Sequence, residues 1–276
     1  MQWINKRNKS NRKKAHQLLN RFLSKAWDKE LNEYVNCGFD SLKKLPQMKS
    51  LLYHEQNGYC CYCMRKLDLN EKAKSTIEHV MPHKVESMDI AYYYAHVPNL
   101  HKNVRKLLLD RNSLHIHNER PYPHFCAYEN LVLSCSGAIY KTEEPEKEFL
   151  FQLHECCNNA RGRVRILPLF YYRNLDFIYE KDGTLTFAPE YENTVKALRL
   201  ELNDNLRLFR KAWSSVIRLY KIEDVRKAIS DIDLRMAILM DSLLLPHESK
   251  RLSNTLYWSL FYEYRWFGYY FSQHTK

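Results

Sequence analysis

Apolar residues recur with helical spacing at both ends of this chain and break up in its middle. Near the N-terminus Leu18, Leu19, Phe22, Leu23 and the pair Ala26-Trp27 fall three or four residues apart, the spacing that lines one face of a helix. Residues 40–57 read as helical again, leading into Gly58. From Thr194 onward Val195, Leu198, Leu202, Leu206, Phe209, Trp213, Ile217 and Tyr220 form one long apolar stripe. A further helix is expected over 222–245, stopped by Pro246, and another over 250–272. That last segment is crowded with aromatics, among them Trp258, Phe261, Tyr264, Trp266, Phe267, Tyr270 and Phe271. They suit core packing, base stacking or partner docking. Between these ends the period shortens. Val164, Ile166 and Leu167 read as a strand, and Phe177-Ile178-Tyr179 and Leu185-Thr186-Phe187 flank Lys181-Asp182-Gly183, which has the chemistry of a hairpin turn. The expected class is α+β within a mainly helical chain.

Composition narrows the function classes. A length of 276 residues can bury a full core, and 45% hydrophobic with 13% aromatic residues describes a folded chain. Six glycines argue against a glycine-loop nucleotide site. The net charge of +11 makes nucleic acid the natural partner class. Residues 1–27 hold eight Lys/Arg and no acid, so the first helix either lies on DNA or presents a solvated charged face. No apolar run follows the basic N-terminus, and no stretch of ~18 apolar residues exists. A cytoplasmic protein without a membrane span is expected. Thiols in that compartment are reduced, and clustered ones read as metal ligands before disulfides.

There are eight cysteines. Cys60 and Cys63 form a CxxC, a knuckle whose two thiolates can reach one ion. A tetrahedral zinc site needs two more ligands. Cys135 is one candidate; Cys157 or Cys156 is the other, with His154 as a further alternative. Cys61 should point away, and Cys37 and Cys126 read as ordinary buried thiols. The segment Ser136 to His154 would then hang as an excursion between two ligands that meet in space. It is the second of two excursions; the first, basic and His-rich, is expected from about Glu86 to His124.

Between the cysteine sets lies Glu78-His79, one hard oxygen ligand beside one imidazole, and Asn158 directly follows the last cysteine. Phosphodiester hydrolysis needs a positioned water, a base and a cation. A site with few protein ligands suits Mg²⁺.

The order CxxC, (D/E)HxxP, NLxxxC and CNxx(K/R)G resembles the HNH, or ββα-metal, endonuclease motif. It appears here as Cys60-Cys61-Tyr62-Cys63, Glu78-His79-Val80-Met81-Pro82, Asn130-Leu131-Val132-Leu133-Ser134-Cys135 and Cys157-Asn158-Asn159-Ala160-Arg161-Gly162. The resemblance implies a ββα-metal core with a structural zinc. In it His79 is the general base, Glu78 and Asn158 hold catalytic Mg²⁺ or Mn²⁺, and Asn130 orients the loop and the base. It also implies Cys60, Cys63, Cys135 and Cys157 as the ligands of zinc (Zn²⁺), and Arg161 at a basic position suited to phosphate. Glu78 stands where Asp is more frequent, and the far knuckle is split by an excursion.

More of the chain is similar to the HNH nuclease subunit of Septu-type and retron-associated anti-phage systems. The similar stretches are Lys49-Ser50-Leu51-Leu52 to Gln56-Asn57-Gly58-Tyr59-Cys60, the strand pair around Asp182-Gly183, and the helix opening at Thr194. This implies DNA as substrate and an ABC/SMC-type ATPase as partner. The expected organisation is a basic helical region over 1–57, the nuclease core over 58–162, and a hairpin with helices over 163–276 packed on that core. A stand-alone restriction or homing-type nuclease, or a zinc-stapled nucleic-acid-binding adaptor with an inactive site, are the other readings.

Overall fold

Helices open and close the chain, and short antiparallel strand pairs lie between them. The computed structural model describes residues 1, 3–6, 8–24, 26–31, 33–34, 39–42, 44–70, 75–81, 87–96, 126–137, 155–167, 177–202, 204–234, 259 and 261–274.

Helix α1, Lys9–Leu23, begins where the Asn8 side chain accepts the Asn11 N–H at 3.0 Å, satisfying a donor that has no partner inside the helix. It buries Ala15, Leu19 and Leu23. The apolar pair Ala26-Trp27 does not extend it: Trp27–Asp28 is a strand, β1, paired with Glu33–Tyr34, β2. The helix expected over 40–57 is two helices, α2 at Phe39–Leu42 and α3 at Pro46–Glu55. Pro46 causes the break, because a proline pushes the residue before it out of the helical region; Leu45 is extended, with φ −80° and ψ 100°.

Strand β3, Thr76–His79, pairs antiparallel with β4, Leu131–Ser134, in the register Glu78 opposite Val132. All four β4 residues are buried. Its outer edge is occupied by a side chain in place of a strand. The Gln56 carboxamide donates to the Leu133 carbonyl at 2.8 Å and accepts the Leu133 N–H at 2.8 Å. Helix α4, Ser87–His96, lies in the first expected excursion; the rest of that excursion and residues 138–154 of the second fall outside the described residues.

Helix α5, Cys157–Arg161, is one turn long and stops at Gly162, whose φ of 56° lies in the left-handed region that favours glycine. The strand expected at Val164–Leu167 does not form. Ile166 and Leu167 are buried, but the Leu167 N–H is taken by the Thr194 hydroxyl at 2.9 Å, not by a neighbouring strand. The hairpin of β5, Phe177–Tyr179, and β6, Leu185–Phe187, forms around Asp182-Gly183 as its turn chemistry predicts.

The long stripe from Val195 to Tyr220 is two helices, α6 at Glu192–Ala197 and α7 at Asp204–Leu219. The chain turns between them. Arg199 has φ 49°, the Leu198 carbonyl accepts the Cys157 N–H at 2.9 Å, and Leu202 is left 70% exposed. Helix α8, Val225–Ser230, is capped by Asp224, and α9, Trp266–His274, ends the described chain. Four of the C-terminal aromatics, Phe261, Tyr264, Phe267 and Phe271, are core, while Tyr262 is exposed. Phe261 stacks on Trp213 at 4.0 Å and Tyr264 on Phe209 at 5.2 Å, with Phe267 and Phe271 buried beside them. A single cluster of buried side chains runs from Ile4 through the cysteines to Phe271. The molecule is a mixture of helix and short sheet, and among the described residues no helix is long and apolar enough to cross a membrane.

Candidate functional site

The cysteines meet where three parts of the chain converge. Cys60 and Cys63 sit on a tight turn closed by the Cys60 N–H to the Arg65 carbonyl at 2.8 Å and the Met64 N–H to the Cys60 carbonyl at 3.2 Å. Cys135 directly follows β4, and Cys157 opens α5. The ends of the second excursion touch: the Cys156 N–H donates to the Gly137 carbonyl at 3.1 Å. Gly137 tolerates this approach because a Cβ there would lie 1.9 Å from the Cys156 carbonyl oxygen. Cys135 and Cys157 are thereby brought together although they are distant in sequence.

The sulfurs of Cys60, Cys63, Cys135 and Cys157 all lie within 4.8 Å of one another, and all four residues are buried. Three of the separations are 3.8 Å (Cys60–Cys157), 3.6 Å (Cys63–Cys135) and 3.7 Å (Cys135–Cys157). Zinc–sulfur bonds of ~2.3 Å in a tetrahedron put the sulfurs about 3.8 Å apart. The set therefore fits a metal ion such as zinc. Burial opposes ionisation of the Cys60 thiol, but contacts from Cys135, Cys157, Cys61 and Cys63 hold it well below its ordinary value. Burial pushes the Cys63 and Cys157 thiols well above theirs. A dication is what allows several thiolates to share such a space.

Cys156 stands outside the set. Its sulfur contacts the Gly137 carbonyl at 3.5 Å and the Cys157 sulfur at 3.4 Å. Cys61 is also outside it, and Cys126 is buried. Cys37, His83, His115, His117 and His154 lie outside the described residues.

The C-terminal helices brace both halves of the cluster. Arg65, just past the first knuckle, pairs with Glu263 at 2.6 Å with both side chains largely buried. The Lys66 N–H donates to the Glu263 carbonyl at 2.8 Å. On the far side, the Cys157 N–H is held by Leu198 of the turn after α6.

Next to the cysteines, β3 and α5 bring Glu78 and Asn158 together. The Asn158 carboxamide donates to Glu78 Oε2 at 2.6 Å, across 80 residues of sequence. The Thr76 hydroxyl donates to Glu78 Oε1 at 2.6 Å, as expected of residues two apart on one strand face. A half-turn of the Asn158 amide would present its oxygen beside the carboxylate, giving two hard donors of the kind Mg²⁺ or Mn²⁺ takes.

His79 ends β3 and is half-buried. The residues after it are clamped by Asn130, which is fully buried. The Asn130 side chain accepts the Met81 N–H at 2.8 Å and donates to the Met81 carbonyl at 3.2 Å. Its main-chain carbonyl accepts the Val80 N–H at 3.0 Å. Asn130 thus fixes the chain leaving His79.

Arg161 differs from its expected role. Its side chain is buried, and its nitrogens donate to the carbonyls of Val164 at 2.8 Å, His79 at 2.7 Å and Val80 at 2.6 Å. It ties α5 to the end of β3.

Two contributors have roles that the sequence does not announce. Gln56 completes the edge of β4. Glu129, directly before Asn130, is buried against Arg12 at 3.1 Å and His16 at 3.5 Å, fastening α1 to the segment that positions the site. A carboxylate two per cent exposed is informative only once its burial is known.

Compared with known proteins, the chain matches no protein-family model, no curated protein and no solved structure.

Proposed function

We propose that this chain is a metal-dependent HNH-type endonuclease that hydrolyses DNA phosphodiester bonds, built on a ββα-metal core with a structural zinc. The observation that carries the reading is the meeting of Glu78 with Asn158 at 2.6 Å, with His79 the next residue along the strand. β3, β4 and α5 follow one another along the chain with α4 between the strands; of the four cysteines that would hold zinc, Cys60 and Cys63 precede β3, Cys135 follows β4 and Cys157 opens α5. A binding module has no need of a carboxylate and a carboxamide brought together across 80 residues of sequence.

In this reading Glu78 and Asn158 hold a divalent cation, which when bound stabilises negative charge on the phosphate and on the leaving oxygen. His79 takes the proton of the attacking water. Asn130 holds the turn behind His79, and Arg161 holds the carbonyls of His79 and Val80, so the base keeps its place without being tied to solvent. Cys60, Cys63, Cys135 and Cys157 keep β3 and α5 in register.

Cleavage of supercoiled plasmid in the presence of Mg²⁺ or Mn²⁺ tests the proposal. His79→Ala should lower the rate at least a hundredfold, on the order of what a general base contributes, with an unchanged melting curve. Full activity in that variant would sink the assignment of the base. A role as nuclease effector beside an ABC/SMC-type ATPase in anti-phage defence rests on the sequence resemblance alone; co-purification with an ATPase encoded next to it is the measurement. If cleavage appears only with that partner, the effector reading is favoured over a stand-alone nuclease.

A further inference from the structure

Helices α1 and α3 pack side by side and leave an open groove between them, with a volume of about 670 Å³. Its rims are built by helical spacing. Lys14, Gln17 and Arg21 follow one another along α1, and Gln47, Ser50 and His54 along α3. Lys14, Gln17, Arg21, Gln47 and His54 are exposed. No acidic residue lines the groove, and among the described residues no carboxylate pairs with Lys14 or Arg21.

This is unusual placement for α1. The acids near it are paired elsewhere: Glu129 takes Arg12 and His16 on its buried face, and Glu55 takes Lys6, ahead of the helix. Of the cations left over on α1, Lys14 and Arg21 stand one above the other on the groove side. Groove side chains that donate hydrogen bonds and carry positive charge, with no negative charge to repel it, complement a polyanion.

We propose that the groove between α1 and α3 seats the phosphodiester backbone of nucleic acid. The proposal deepens the nuclease reading, and on that reading it supplies the substrate with a holding surface. Lys14 and Arg21 pair with successive phosphates, and Gln17, Gln47, Ser50 and His54 give hydrogen bonds to phosphate oxygens without reading sequence. Both walls of the groove rest on the strand that pairs with Glu78 and His79. α3 packs on β4, and α1 packs on the turn Tyr128–Asn130 that enters it. A backbone held in the groove is therefore registered against the site by packed elements.

The test measures binding apart from cleavage. The full chain carrying His79→Ala is titrated with a fluorescein-labelled DNA duplex over a series of salt concentrations. Lys14→Gln together with Arg21→Gln should weaken binding on the order of tenfold or more and reduce the slope of log K against log salt by about 2, since each neutralised phosphate contributes about 0.9. The control removes the same charge elsewhere, by Lys181→Gln with Arg226→Gln, both exposed, and should leave most of the slope. Equal losses from the two pairs, or none from the groove pair, overturn the proposal. Loss of an acidic protein partner with DNA affinity intact overturns it as well. Labelled RNA duplex and single-stranded DNA, run in parallel, show which nucleic acid supplies the backbone. If the groove pair loses slope while His79→Ala still cleaves, the groove stands and the catalytic assignment fails. If wild type cleaves and the groove pair binds normally, the reverse holds.

Discussion

At the end of α5 the Arg161 guanidinium gives all of its nitrogens to backbone carbonyls, a case in which residue type and motif position agree and the side chain still does other work. A basic residue before Gly162 reads from sequence as a phosphate ligand. The distinction lies in burial, because a buried guanidinium must satisfy its donors locally. The cysteines were far more legible: four thiols in two sets name a tetrahedral site, and the structure gathers Cys60, Cys63, Cys135 and Cys157. What spacing left open was the choice between Cys156 and Cys157, adjacent residues that only backbone direction separates. Cys157 takes the position with a φ of 62°, and its sulfur faces the other three. Metal analysis of purified variants checks this. Cys157→Ser should lose the bound zinc and Cys156→Ser should retain it; retention in the first or loss in the second would move the fourth ligand.

Among the elements, long periodic stretches were readable and their interruptions were not. The apolar stripe from Val195 to Tyr220 predicts one helix because its spacing continues through Leu198 and Leu202. The break comes from a contact with a distant residue, the Cys157 N–H on the Leu198 carbonyl, and periodicity carries no record of such a partner. The hairpin at Asp182-Gly183 was legible because its cause is local. Gln56 is the opposite case. Its amide stands in for a third strand on β4 and also donates to the Tyr59 carbonyl at 3.0 Å, a role no pattern announces. Gln56→Ala should destabilise the fold by about 1 to 3 kcal/mol, the cost of leaving the buried Leu133 N–H without a partner, since the Leu133 carbonyl still accepts the Cys61 N–H at 3.2 Å. Chemical denaturation measures it, and a change below about 0.5 kcal/mol would remove Gln56 from that role.

For the whole molecule, one buried carboxylate adds a charged tie to the apolar packing that joins α1 to the site. Burial alone would raise the pKa of Glu129, but the hydrogen bond and charge of His16 and the charge of Arg12 hold it below its ordinary value of 4.5. A depressed carboxylate contributes stability that is fully present above about pH 4.5 and is lost as pH falls through the lower folded value. Thermal melts should therefore drop more steeply below that pH for the wild type than for Glu129→Gln; parallel slopes would show that Glu129 is not the acid-sensitive tie. The join at Gly137 and Cys156 has a consequence of a different kind. Since these two backbones already touch, the chain between them enters and leaves through one point, so its length is free to vary without moving Cys135 or Cys157. Lineages could therefore lengthen, shorten or replace that stretch while the thiol cage stays intact, and an engineer could use the same doorway to graft a reporter domain.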